Sequence, residues 1–497
     1  MRRGAEKLGS VLVLGLGKSG EAVVDYCLPL LGGRVSGLFI AAGVRTDATS
    51  AAAARAQQAG AVVEFGDDAV ERLAAQVAQG RFDVCIPSPG IAPTHRLYRD
   101  GERLSGQVFG EVELAWRESD RDSRWVAITG TNGKTTVTSL VAHLLCEAGF
   151  DAVAVGNIGS PCLDAVAQGP GRVFVAETSS YQLHSTCAFA PDAAVILNIT
   201  PDHIKWHGSF EAYRDDKFKM LANLAQAPSA VAVLDATDDE VRAKIREIKA
   251  IPSEQRGYPY IPVGTKAGYE GDMRAACGAD NAAFVDAQGC LTVAFDGAEH
   301  RLIPEGELLI KGRHNVGNAL AASAVAIALG ADDDAAVAGL RSFAPLEHRI
   351  EPCGTIRGAA CYNDSKATNV DASLKAIQAF PNARPIMLFG GDDKGTDLAP
   401  LVQATHAHAR AAVCFGAAGQ RFQEAFSAAR GSQPEGFQVL RAEHLADALD
   451  AACAIAGEGD VILLSPACAS FDEFSCFEER GEVFKRLVAQ RSGQLGA

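Results

Sequence analysis

Trp125-Val126-Ala127-Ile128-Thr129-Gly130-Thr131-Asn132-Gly133-Lys134-Thr135-Thr136 is the stretch that decides the fold class. Its first four residues read as a short buried strand, its glycines as a loop, and Val137 to Glu147 as the helix that follows. Strand, glycine loop and helix in that order open a nucleotide-binding α/β domain. Gly130 and Gly133 would let backbone N–H groups approach phosphate oxygens, and the helix N-terminus adds its positive end. Lys134 would then neutralise the outer phosphates of a nucleoside triphosphate, and the Thr135 hydroxyl would face Mg²⁺. The plainer alternative is a tight turn with a solvated lysine, which the flanking strand and helix disfavour.

Outward from this loop the βαβ pattern repeats. Val173-Phe174-Val175-Ala176 and Ala194-Val195-Ile196-Leu197 read as central strands of a parallel sheet, and an alanine-rich helix runs from about Asn315 to Leu329. Asn315 is a candidate cap for that helix. The stretch from Ile251 to Ile310 is richer in glycine and proline and suggests a small antiparallel region. Upstream, Val11-Leu12-Val13-Leu14 leads into Gly15-Leu16-Gly17-Lys18-Ser19-Gly20 and a helix from near Glu21. Downstream, Pro385–Phe389, Ala411–Phe415 and Val461–Leu464 are strands separated by helical stretches. The charged run Arg117 to Arg124 reads as a linker. The expected architecture is α/β in three domains. Residues 1–122 form a Rossmann-like domain, residues 123–344 a central P-loop-type domain with a mostly parallel sheet, and residues 345–497 a second Rossmann-like domain.

Composition excludes several classes. A chain of 497 residues exceeds one ordinary core. A formal charge of −15 leaves no broad basic surface for nucleic acid. No run reaches the roughly 20 apolar residues needed to span a bilayer, and Met1 to Lys7 does not open a signal peptide. Thirteen cysteines, an odd number without a CxxC pair, fit free thiols in a reducing cytoplasm. A cytoplasmic monomer is expected.

Glu177 stands at a strand end in Glu177-Thr178-Ser179-Ser180-Tyr181-Gln182, and His203 follows another in Asn198-Ile199-Thr200-Pro201-Asp202-His203. A lone histidine there is more often structural; beside a phosphate loop and Glu177, a Mg²⁺ role is favoured. Asp202 would orient His203 or act behind it. Gly15 to Gly20 alone would suggest a dinucleotide site, but Tyr26 to Thr46 contains no acidic residue to grip a ribose, which disfavours NAD.

The phosphate loop lacks the earlier glycine of an ordinary P-loop, where Ile128 and Thr129 stand. Its short Gly-Thr-Asn-Gly-Lys-Thr-Thr form resembles that of the Mur ligase superfamily, amide-forming ligases of cell-wall precursor synthesis together with the folylpolyglutamate synthases. Two further strings, Asn363-Asp364-Ser365-Lys366-Ala367-Thr368-Asn369 and Leu464-Ser465-Pro466-Ala467-Cys468-Ala469-Ser470-Phe471, resemble the glutamate-adding branch. The resemblance runs from about residue 10 to 488.

This resemblance implies an ATP-dependent ligase that activates a carboxylate as an acyl phosphate and joins glutamate, D-glutamate being expected, to UDP-N-acetylmuramoyl-L-alanine. It implies ATP contacts from Gly130 to Thr136, with Asn318 against adenine and Arg349 and Asp364 reaching phosphate and ribose. Two Mg²⁺ ions would be held by Thr135, Glu177, His203 and Lys217. By pattern alone Lys217 is a surface lysine of Tyr213-Arg214-Asp215-Asp216-Lys217; the resemblance makes it a CO₂-derived carbamate. Lys134, Glu177, His203, Lys217 and Arg349 form the implied catalytic set. The UDP-linked substrate would meet Lys18, Ser19, Gly90, Asn157, Ser179 and His203. Glutamate would meet Thr368, Lys394, Ser470, Phe471 and Phe477. Where the branch often carries Asp-Thr-Arg to read uracil, Phe39 to Arg45 stands, so uracil recognition either differs or falls to Arg45-Thr46-Asp47. Cys468 reads as buried and structural. A sister ligase of the superfamily and a catalytically silent nucleotide-binding regulator are the rival readings.

Overall fold

Continuous apolar runs become strands because a parallel sheet is covered on both faces, and the chain builds three such sheets. The computed structural model describes residues 2–265, 277, 280–380, 383–393, 395–429 and 434–493. The first sheet contains β1 (Gly9–Leu14), β2 (Val35–Ala42), β3 (Val62–Phe65), β4 (Phe82–Pro87) and β5 (Ser105–Val108), in the order β3-β2-β1-β4-β5 and parallel throughout.

The second sheet contains β6 (Arg124–Thr129), β7 (Ala152–Gly156), β8 (Val173–Glu177), β9 (Ala193–Ile196), β10 (Val231–Asp235) and β11 (Tyr260–Val263). It continues through β12 (Ala282–Val285), β13 (Cys290–Phe295) and β14 (Ala298–Pro304), in the order β14-β13-β12-β11-β10-β9-β6-β8-β7. β12 to β14 pair antiparallel, as the Ile251–Ile310 composition suggested. The third sheet holds β15 (Glu351–Ile356), β16 (Ala359–Asn363), β17 (Ile386–Gly390), β18 (Ala411–Phe415), β19 (Gln438–Arg441) and β20 (Val461–Leu464), ordered β15-β16-β20-β17-β18-β19. Only β15 there runs antiparallel to its neighbour.

Two units hold these sheets: residues 1–306 with 317–341 carry the first two, and residues 307–316 with 342–497 carry the third. Among the described residues no helix is long and apolar enough to cross a membrane. All thirteen cysteines are free thiols.

The charged run is a linker only in part: Ser119 to Ser123 connect a helix to β6 with Arg121 and Asp122 exposed, while its start is helical and buried at Glu118. Arg117 and Glu118 close the helix Glu111–Glu118, and Arg124 already begins β6. The Glu118 side chain is fully buried and accepts from Arg34 Nη2 at 2.8 Å. Glu111 accepts from the Leu163 amide at 2.8 Å and Glu113 from the Ala188 amide at 3.0 Å. The carboxylates of this helix are thus buried and paired, Glu118 with Arg34 of the first region and Glu111 and Glu113 with amides of the second. Helices also start earlier than hydrophobic periodicity alone suggests: at Lys18, Lys134 and Arg313. Asn315 consequently lies inside its helix, with Nδ2 donating to the Lys311 carbonyl at 2.7 Å, and is not its cap.

Candidate active site

β6 delivers the glycine loop to the start of the helix Lys134–Glu147. Gly133 has φ +87°, and a Cβ there would lie 2.7 Å from Asn318 Oδ1, so only glycine fits between loop and Asn318. The loop is pinned from the end of β9. Asn132 N–H donates to Asn198 Oδ1 at 2.8 Å, Asn198 Nδ2 donates to the Asn132 carbonyl at 3.0 Å, and Thr131 N–H donates to the Asn198 carbonyl at 2.7 Å. The Thr131 and Tyr213 hydroxyls lie 2.7 Å apart. Lys134 Nζ folds over the loop, donating to the Gly130 carbonyl at 2.8 Å and the Thr131 carbonyl at 3.0 Å.

Lys217 reaches the same place from below. It is 2 % exposed, and its Nζ donates to the Gly130 carbonyl at 2.9 Å. Burial, and then the nearby Lys134 ammonium, hold its ammonium well below the usual lysine range. Two lysine heads on one carbonyl favour one of them being a neutral amine. Glu177, at the end of β8 and 2 % exposed, accepts from Asn157 Nδ2 at 2.7 Å through Oε1. Its Oε2 is buried with no hydrogen-bond partner. An orphaned buried carboxylate oxygen beside a phosphate loop is what a hard cation would satisfy. His203 follows β9 with φ +54°, its ring 4.8 Å from that of Tyr181, and Asp202 Oδ1 accepts from its N–H at 2.8 Å. Thr135 is half-buried in the first turn of the loop's helix. The donor set, carboxylate, hydroxyl, imidazole and lysine, suits Mg²⁺ if the lysine presents oxygen.

In the first sheet, Gly20 packs so closely that a Cβ would meet the Gly15 carbonyl oxygen at 2.1 Å, which holds the turn after β1 tight. Lys18 Nζ extends to the Gly159 carbonyl at 2.5 Å, linking this turn to the loop carrying Asn157. Ser19 is half-buried and Gly90 exposed on the loop after β4. Ser179 caps the short helix Ser180–His184 in a reciprocal box with Gln182. Arg45 stacks over Phe65 at 4.4 Å, Thr46 caps the next helix, and Val44 is 82 % exposed.

In the second unit, Asp364 is buried at the end of β16, accepting from Ser465 Oγ at 2.7 Å, and burial pushes its carboxyl up to about 7. Arg349 lies between His348 (φ +60°) and Ile350 (φ +45°), both left-handed. Six non-glycine residues among those described have positive φ, and His203, His348, Ile350 and Ala467 sit in candidate site segments. Such conformations cost about 1–3 kcal/mol each and concentrate where function requires them. Thr368 is half-buried, and buried Ser470 directly precedes Phe471, which is 70 % exposed. Lys366 Nζ lies 3.6 Å from the Phe477 ring centroid. Lys394 lies outside the described residues. Burial pushes the Cys468 thiol up to about 12, unsuited to a nucleophile. Glu347, His348 and Glu482 converge, but Lys485 pairs with both carboxylates and supplies the cation there.

Sequence reasoning passed over the supporting roles of four residues: Thr129, whose hydroxyl donates to the Thr178 carbonyl at 2.8 Å, Asn198, Tyr213 and Arg480. The first three are visible only as polar residues at strand ends or in a helix. Arg480 is wholly buried, donating to the Ser365 hydroxyl (2.9 Å) and to the Ser365 (2.8 Å), Cys468 (3.0 Å) and Ala469 (3.0 Å) carbonyls. It thus ties the Asp364–Thr368 segment to the Cys468–Ser470 loop. Arg480→Met should destabilise the chain by about 3–5 kcal/mol, since the carbonyls lose their charged donor. Urea denaturation followed by circular dichroism measures it, and a loss below about 1 kcal/mol would contradict that role.

Residues 128–326 match the Mur ligase middle domain and residues 348–468 the Mur ligase glutamate ligase domain. The UDP-N-acetylmuramoylalanine–D-glutamate ligase of Salinibacter ruber is 37 % identical over 96 % of both chains. Its namesake in Bordetella parapertussis is 34 % identical over 97 % of this chain and 96 % of its own. In fold, a pseudomurein peptide ligase type C from Methanothermus fervidus aligns with TM-score 0.54 at 16 % identity, covering 97 % of this chain and 99 % of its own. The UDP-N-acetylmuramate–alanine ligase of Thermotoga maritima aligns with TM-score 0.53 at 17 % identity, covering 98 % and 99 %.

Proposed function

The chain belongs to the Mur ligases, in the branch of the UDP-N-acetylmuramoylalanine–D-glutamate ligases, and from that premise we propose how its residues divide the work. It is an ATP-dependent ligase that adds D-glutamate to UDP-N-acetylmuramoyl-L-alanine in peptidoglycan synthesis.

A free carboxylate offers no leaving group at neutral pH, so the alanyl carboxylate first attacks the γ-phosphorus of ATP. An O–P bond forms, the bond to ADP breaks, and an acyl phosphate results. The deprotonated amine of glutamate then attacks the acyl carbon, its nitrogen gives up a proton, and phosphate leaves with the electron pair of the C–O bond. Gly130 to Thr136 cradle the phosphates through backbone N–H groups, and Lys134 exchanges its loop carbonyls for the charge that develops on them. Asn318 is assigned to adenine, and Arg349 and Asp364 to the nucleotide. Thr135, Glu177, His203 and a carbamate on Lys217 would hold two Mg²⁺ ions, which neutralise the triphosphate and polarise the transferred phosphoryl group. Forming the carbamate requires a neutral amine: the Lys217 nitrogen bonds the carbon of CO₂ and releases a proton. Lys18, Ser19, Gly90, Asn157, Ser179 and His203 are assigned to the UDP-linked substrate. Thr368, Lys394, Ser470, Phe471 and Phe477 are assigned to glutamate. Residues 1–122, 123–344 and 345–497 are the corresponding domains of a cytoplasmic monomer.

The observation that carries this reading is the convergence of Lys134 and Lys217 on the Gly130 carbonyl, within a domain whose Glu177 keeps a buried oxygen unpaired. Phosphate release with UDP-N-acetylmuramoyl-L-alanine, ATP and each glutamate enantiomer tests it. Turnover is expected with D-glutamate and at least about a hundredfold less with L-glutamate, because a stereocentre inverted among fixed donors leaves buried polar groups unpaired. Equal turnover with both, or none with either, would overturn the assignment.

A further inference from the structure

Asp216 precedes Lys217 on the helix Phe210–Phe218 and is buried. One oxygen, Oδ2, accepts from Nδ1 of His184 and from Nδ1 of His207, each at 2.9 Å. The other, Oδ1, lies 3.2 Å from Lys219 Nζ. His207 carries no exposed side-chain surface, and its Nε2 is 2.9 Å from Ser180 Oγ.

These contacts join three short helices. His184 ends Ser180–His184, which starts three residues after Glu177; His207 ends Ile204–His207, which starts directly after His203; and Asp216 adjoins Lys217. Aromatic packing reinforces the first two, since the Tyr181 ring lies 4.8 Å from His203, 4.5 Å from Trp206 and 5.5 Å from His207. Ser180, His207 and Asp216 have the connectivity of a nucleophile relay. Ser180 is 2 % exposed, however, and the carboxylate oxygen is shared with His184, so the arrangement serves position and not attack.

We infer that Asp216 is a positioning residue: through His184 and His207 it clamps together the three helices that adjoin Glu177 and His203 and carry Lys217, and so keeps these donors in register for cations. This rests on the cation assignment made above. Groups behind metal-holding side chains are worth about 10–100-fold in metal affinity when removed. Without the clamp each helix can shift independently, and the donors lose their common focus while the phosphate loop, pinned by Asn198 after β9, keeps its shape.

The test uses the full chain with a non-hydrolysable ATP analogue and Mn²⁺ as the probe, with free Mn²⁺ read by electron paramagnetic resonance. Asp216→Asn should raise the apparent Mn²⁺ dissociation constant about 10–100-fold. His207→Gln should raise it in the same direction, and the double variant should add little to the larger single effect. Affinity for the analogue at saturating Mn²⁺ should stay within about threefold of wild type, a split that general loosening would not produce. Asp215→Asn, at an exposed neighbour whose side chain is 64 % accessible, should bind Mn²⁺ as the wild type does. Mn²⁺ affinity of Asp216→Asn within about twofold of wild type would overturn the clamp, set against the 10–100-fold expected. Should that variant unfold by circular dichroism, unchanged Mn²⁺ affinity in His207→Gln overturns it equally. A wild-type chain that binds no Mn²⁺ sinks the cation site itself, and the role of Asp216 with it.

Discussion

Lys134→Ala is expected to lower ADP formation by about 10³-fold or more, with the fold intact. Lys134 is the ammonium assigned to the outer phosphates, and it rests 2.8 Å from the Gly130 carbonyl and 3.0 Å from that of Thr131. Those two contacts are what a triphosphate would replace, since a carbonyl is a weaker partner for an ammonium than a phosphate oxygen. Losing the charge leaves the negative equatorial oxygens of the transition state without their preorganised partner. The loop should survive, because Asn198, Tyr213 and Lys217 hold it independently. A coupled ADP assay and a thermal melt together decide: near-normal ADP release in a folded variant would remove the loop from the mechanism.

Lys217→Ala is expected to lower turnover by about 10²–10³-fold and to respond to added short carboxylic acids. The side chain is almost wholly buried and its amine is driven toward the neutral form, the state that can capture CO₂. Alanine vacates the space beside Thr129, the Gly130 carbonyl and Tyr213, where a small carboxylate is expected to take the place of the carbamate oxygens. Acetate or formate should restore part of the rate to Lys217→Ala and none to Lys134→Ala, whose lost group is a cation. Recovery in both variants, or full activity of Lys217→Ala without additive, would refute the carbamate. The wild type should also slow in CO₂-depleted buffer and recover on adding bicarbonate.

Local signals explain how much could be read without coordinates. The seven strands named from apolar runs all form within about two residues of the expected limits, because a strand buried on both faces must be apolar along its whole length. The Gly130–Thr136 loop was legible for the same local reason: its glycines, lysine and threonines are contiguous. The linker expectation failed at Glu118, since a charge that pairs with Arg34, 84 residues away, looks in sequence like one that faces water. The roles of Asn198 and Tyr213 were hidden likewise, their loop partners being 66 and 82 residues distant. Arg480 holds Ser365 from 115 residues away.

By itself, then, the chain's linear order determined the α/β class, the alternation of strand and helix, and the phosphate loop, all properties set by neighbours within a few residues. The folded molecule alone decided that Lys217 is buried under the Gly130 carbonyl, that Glu177 keeps an oxygen unpaired, and that Asp216 binds two histidines at once. Hydrogen bonds and desolvation act across a few ångströms of space whatever the separation along the chain, so a residue's protonation and partners become definite only when distant segments meet.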